Sequence, residues 1–128
     1  MRRILAAALA ASVMVTAALV GIAGPASAVS RNGCPYPRVC FYPVAADFNA
    51  GRYSAAYKDV TTSAQSLSLA ALGADYVVNT RNDDRVLLWY WDFGTRTNNL
   101  VCLSPNNVHV FKFWHEVTDV LIETAPNC

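Results

Sequence analysis

An antiparallel all-β sandwich, with one candidate short helix, is the fold this 128-residue sequence predicts. Short runs of β-branched and aromatic residues recur at close spacing, at residues 39–42, 76–78, 86–93, 100–103, 108–114 and 117–123. Polar clusters of Asn, Asp, Gly and Pro separate them, and most are too short to hold the crossover helices of βαβ units. Only residues 61–72 carry a helical start and stop.

Residues 1–28 stand apart from the domain. Arg2 and Arg3 form a basic start, an alanine-dominated apolar run follows, and Gly24-Pro25 breaks it before Ala26-Ser27-Ala28. This is the pattern of a signal peptide cleaved after Ala28, so secretion is expected. An uncleaved membrane anchor is the rival reading, but alanine is only weakly lipophilic. Cleavage leaves residues 29–128 as a single 100-residue domain. The net charge then passes from +1 to −1, because 8 basic residues face 9 acidic ones. A near-neutral domain with scattered charge has no electrostatic footprint for nucleic acid or, after cleavage, for a membrane surface.

The elements follow in order. Residues 29–33 are a polar arm. Residues 39–42 read as a strand that Pro43 ends or edges. A loop carries the chain through Phe48 to Gly51, and residues 52–60 form an irregular second strand. In 61–72, Thr62 or Ser63 caps a helix, Leu67, Leu69 and Leu72 supply its apolar contacts, and Gly73 stops it; a buried loop is the alternative, since the spacing fits no single period. Residues 76–78 are a strand, 81–84 a solvated charged turn, and 86–93 the strongest strand of the chain. Asn98-Asn99 and residues 105–107 read as further turns. Alternation puts Val86, Leu88 and Tyr90 on one face of 86–93, and Leu87, Trp89, Trp91 and Phe93 on the other. Aromatic stripes in small β domains fill cores, so the tryptophan face is expected inside; a partner-facing surface is the alternative.

Catalytic constellations are missing from the pattern, and no enzyme activity or cofactor is expected. There is no GxSxG elbow, Walker loop or GxGxxG. His115-Glu116 begins like HExxH, but position 119 is Asp and the segment reads as a turn into a strand. His109 and His115 read as surface or half-buried polar groups. Asp83-Asp84, flanked by Arg81 and Arg85, reads as a self-neutralising turn rather than a glycosidase pair. The four cysteines, 34, 40, 102 and 128, are even in number and allow three pairings; in an exported chain they read as two disulfides.

The order CPYPRVCFY (residues 34–42), Phe48, Gly51, VVNT (77–80) and VLLWY (86–90) resembles secreted bacterial proteins of the peptidase inhibitor I36 family. That resemblance implies a βγ-crystallin-like sandwich of two Greek-key motifs. It assigns the hairpin aromatic and glycine to Tyr42 or Phe48 with Gly51 in the first motif, and to Tyr90, Phe93 and Gly94 in the second. Phe48 to Gly51 is one residue longer than the usual F-x-G, and Phe93-Gly94 one shorter. The acidic and hydroxyl pairs of the calcium-binding crystallin motif are eroded at residues 75–77, 83–87 and 115–119, so no calcium site is expected. The resemblance further implies the pairing Cys34–Cys40 with Cys102–Cys128, whose loop closures correspond to about 2.4 and about 3.5 kcal/mol.

The implied function is that of a rigid protein-binding domain, acting as a monomer, that blocks a secreted protease, with metalloproteases included. Two loops are candidates for the contact: residues 35–38, with Tyr36 and Arg38, and residues 79–85, with Arg81 and Arg85. For the first, the plainer reading is that Pro35 and Pro37 merely stiffen an arm. A carbohydrate- or cell-wall-binding module using Trp89, Trp91, Tyr36 or Tyr53 is the alternative, as is a non-catalytic structural surface protein.

Overall fold

A computed structural model describes residues 30–128; the expected signal peptide and its cleavage point lie outside them. Within that range eight strands form two antiparallel four-stranded sheets. The first has the order β2 (Ala55–Tyr57), β1 (Val39–Tyr42), β4 (Tyr76–Asn79), β7 (Val108–Val110). The second has β3 (Gln65–Ser66), β8 (His115–Glu123), β5 (Arg85–Asp92), β6 (Thr97–Leu103). The two orders coincide under a shift of four strands, so each half of the chain lends its third strand to the other half's sheet. The domain is thus the expected all-β sandwich, and no helix of the described residues is long and apolar enough to cross a membrane.

Alternation along β1 decides where the core sits. Val39 and Phe41 point between the sheets and pack with Val77, Val86, Leu88, Val117, Val120 and Ile122. Cys40 and Tyr42 point the other way, into a second small cluster with Cys34 and Val78, covered by Phe48 and Tyr76. All four β1 residues are therefore buried. Truncating a fully buried leucine such as Leu88 in this setting costs about 2–5 kcal/mol.

The cover over the second cluster is a single short helix, α1 (Ala45–Asn49), where a loop was expected. Phe48 stacks on Tyr76 at 4.6 Å between ring centroids and meets Tyr42 edge-on at 5.5 Å. Arg52 pairs with Asp47 in its first turn. Gly51, at φ +69°, ends it in the left-handed conformation that glycine adopts most readily. The expected helix at 61–72 does not form. Gln65 and Ser66 pair with Val120 and Asp119, and the Leu67 amide donates to Thr118 O at 2.9 Å. Tertiary pairing has taken the backbone groups a helix needs, and Leu69 is left 93% exposed.

Four further expectations are corrected in the second half. Asn98 and Asn99 lie inside β6, because Asp92 makes the turn instead: its Oδ1 accepts from the amides of Gly94 (2.7 Å) and Thr95 (3.2 Å). The left-handed residue there is Arg96, at φ 57°, while Gly94 lies outside that region and Phe93 is exposed, so neither takes the role the resemblance assigned. The expected strand 108–114 ends at Val110, and residues 112–114 turn into β8.

The tryptophan face is the fourth correction. Val86 and Leu88 face the core, with Tyr90 packed against it, whereas Leu87, Trp89 and Trp91 lie on the outer side of the second sheet and are half-buried. The sandwich has only two layers, and no counterpart of α1 lies over this side among the described elements. A bulge at Trp89/Tyr90 keeps β5 and β8 paired along their length.

Candidate functional site

The two candidate loops form one object. Cys34 and Cys40 are joined, as are Cys102 and Cys128, the pairing the resemblance implied. The first bridge closes a small ring in which Pro35 and Pro37 restrict the backbone and the Arg38 amide donates to Pro35 O at 3.1 Å. Tyr36 stands out from it, 40% exposed.

Thr80 ties this ring to the start of the second loop. Its amide donates to Arg38 O at 3.0 Å, which carries the β1–β4 ladder one step beyond Val39 and Asn79. Its hydroxyl accepts from the Arg38 amide at 3.0 Å and donates to Arg38 O at 2.8 Å. Thr80 is almost fully buried, so these bonds replace water rather than compete with it.

Asn79 holds the turn from within. Fully buried, it donates from Nδ2 to Asp84 O (3.0 Å) and Ser104 O (3.2 Å), and its Oδ1 accepts from the Arg81 amide at 3.0 Å. Arg81 reaches back across the ring, donating from Nη1 to Pro37 O at 2.8 Å and to Lys58 O at 3.0 Å, while its guanidinium pairs with Asp84. The expected solvated turn is corrected here: only Asp83 is exposed, and Asp84 is buried. The reason is topological. β4 and β5 belong to different sheets, so the turn bridges the two layers instead of capping a hairpin.

The four expected contact residues are thereby sorted. Arg81 is spent on internal bonds. Arg85 pairs with Glu123 at 2.8 Å and donates to Asn127 O at 2.9 Å, fastening the C-terminal tail on the second sheet. Tyr36 and Arg38 remain together on the ring, and Arg38 forms no ion pair among the described residues. Behind the ring, Tyr42 donates its hydroxyl to Asn32 O at 2.7 Å; burial, then the neighbouring Tyr53, push it up to about 12. Thr80 and Asn79 were missed as site-builders, although they close the quoted VVNT run: two polar residues ending an apolar strand are the available signal.

Elsewhere, His115 and Glu116 begin β8 as a strand, so the helical histidine pair of HExxH does not arise. His115 lies on Tyr90 (4.6 Å between rings) with Asp92 at 3.5 Å, and His109 lies on Phe111 at 4.5 Å; both histidines are half-buried. Among the described residues no group of three or more His, Cys, Asp or Glu side chains gathers as metal ligands. The ring and turn are thus bonded into one unit, with Tyr36 exposed on it. No protein-family model matches the chain, and no curated protein or solved structure does.

Proposed function

We propose that the chain is a secreted, non-catalytic protein that binds and blocks a protease through the disulfide ring, with Tyr36 at the centre of the contact and Arg38 beside it. The observation that carries this is the fastening of an exposed tyrosine on a closed ring, itself held by Thr80 and Arg81. A loop already fixed in one conformation loses little entropy on docking. Tyrosine supplies a large contact area at low conformational cost, which is why it recurs among interface hot spots. The two disulfides suit an oxidising, extracellular setting. The third-strand exchange between the sheets suits a reading of the domain as two similar four-strand motifs.

Titration of purified chain against a panel of secreted proteases, thermolysin-like and subtilisin-like, tests this. Stoichiometric loss of activity is expected with at least one class, and Tyr36→Ala is expected to weaken inhibition about 30-fold, the effect of losing a hot spot of about 2 kcal/mol. Full protease activity at about 10 µM chain, across the panel, overturns the reading.

A further inference from the structure

The four sheet edges are not treated alike. β2 and β7 on the first sheet are three residues each, and β3 on the second is two. Edges that short offer too few unpaired backbone groups to template another strand. β6 is the exception, at seven residues, Thr97-Asn98-Asn99-Leu100-Val101-Cys102-Leu103. It contains no charged residue and no proline, and its register with β5 runs without a shift. Natural proteins blunt a long edge with charge, proline or a bulge. This edge has none of the three. Beside it on the outer face lie the half-buried Trp89 and Trp91 of β5, over which no helix or strand of the described residues packs. The C-terminal tail reaches that face only through Cys102–Cys128 and Arg85.

We propose that β6 is where two copies of this chain pair, antiparallel about a two-fold axis, joining their second sheets into one. About a two-fold axis the central residue of the strand faces its own copy, so a charge there would face a like charge. β6 has no charge to repel. With the axis at Leu100, that residue faces its own copy, Asn98 faces Cys102, and Asn99 faces Val101. Leu100 is directly opposite Trp89 on β5 and 51% exposed. Pairing would therefore complete an apolar row, Trp89–Leu100–Leu100–Trp89, across both copies. The acidic residues of this face, Glu116, Asp119 and the Arg85-paired Glu123, sit on β8, two strand spacings or about 9.6 Å from the edge, where salt screens them from their copies. The proposal departs from the monomer expected above. It is independent of the protease reading, because the ring lies on β1 of the other sheet.

One strand pair is a small interface, so the dimer is weak and concentration-dependent. Sedimentation equilibrium on the disulfide-bonded chain, from about 1 µM to about 1 mM, spans the range in which such contacts dissociate. The expected result is a mass rising towards twice that of the chain, with amide hydrogen exchange in residues 97–103 slowing as concentration rises. Leu100→Lys, which puts two ammonium groups at the axis, is expected to hold the chain monomeric and leave that exchange independent of concentration. Asn98→Lys, at an exposed position on the same edge, is the second variant should the first fail to fold. A wild-type chain that stays monomeric throughout overturns the proposal. So does a dimer that survives the lysine substitution, or one whose protected amides lie away from β6.

Discussion

Arg81 and Asp84 form the least exposed ion pair described in the domain, with side chains 12% and 6% exposed, at the crossing from the first sheet to the second. Because Arg81 also donates to Pro37 O and Lys58 O, the pair holds the ring, the β2 end and the β4–β5 crossing as one unit. Stability and the candidate contact surface are thus coupled through one guanidinium.

Removing the acid should show this coupling. Asp84→Ala leaves the half-buried Arg81 without its counter-charge, and a loss of about 2–4 kcal/mol in urea unfolding is expected, below that of a fully buried pair. Asp84→Asn, which keeps the shape, should cost nearly as much. A loss below about 1 kcal/mol would mean that the pair behaves like a surface one.

Gly33, Gly51 and Gly73 all have positive φ, yet they sit in different spaces, so an alanine series separates conformation from clash. A Cβ on Gly33 would lie 2.2 Å from Gly51 O, against backbone that cannot step aside. On Gly51 the nearest atoms are backbone of Asn32 at 3.3 Å, and on Gly73 only Glu116 Cγ at 3.8 Å. Gly73→Ala should therefore cost about 1–2 kcal/mol, the left-handed penalty alone. Gly51→Ala should cost more, and Gly33→Ala most of all, with a further 1–3 kcal/mol or so of overpacking. Thermal midpoints falling in any other order would contradict the close approach of residues 32–33 to 51.

The first strand was legible because both of its faces are apolar and both are buried, so pattern and packing agree. The tryptophan stripe was not, because alternation tells which residues share a face but not whether a third layer covers it. The segment 61–72 misled for the same kind of reason: a local cap and stop pointed to a helix, while the deciding partner, β8, lies some fifty residues on. The candidate site was half legible. Both loops could be named from their prolines and charges, but their union depends on residue 38 meeting residue 80, a non-local pairing that no local pattern encodes. Asp84 was misread because the sequence gives no sign that β4 and β5 part into different sheets.

The disulfides should contribute unequally. Cys102–Cys128 closes a separation of 26 residues and Cys34–Cys40 one of 6, which correspond to about 3.5 and about 2.4 kcal/mol of loop-closure entropy. The paired serine variant of the longer loop should therefore be the less stable in denaturant unfolding. The shorter bridge should matter more for docking, since its loss frees Tyr36. Protease inhibition surviving loss of Cys34–Cys40 at full strength would detach the ring from the contact.

Acid should weaken the fold first through His109. Burial, reinforced by nearby His115, holds its imidazole below the ordinary value of 6.5, so the folded chain favours the neutral form. A depressed folded value means that this support is complete above 6.5 and is lost as pH falls through that value towards the folded one. Asp92 acts in a separate window. Burial raises it, but the Thr95 and Gly94 amides and His115 outweigh that and hold it below 3.8, so its support persists until more acid pH. Urea midpoints measured from about pH 7 to about pH 5 should therefore fall, and His109→Gln should flatten that fall while leaving the change below about pH 4 in place. An unchanged slope between about pH 7 and about pH 5 in the glutamine variant would show that the ring beside Phe111 is not the group that titrates.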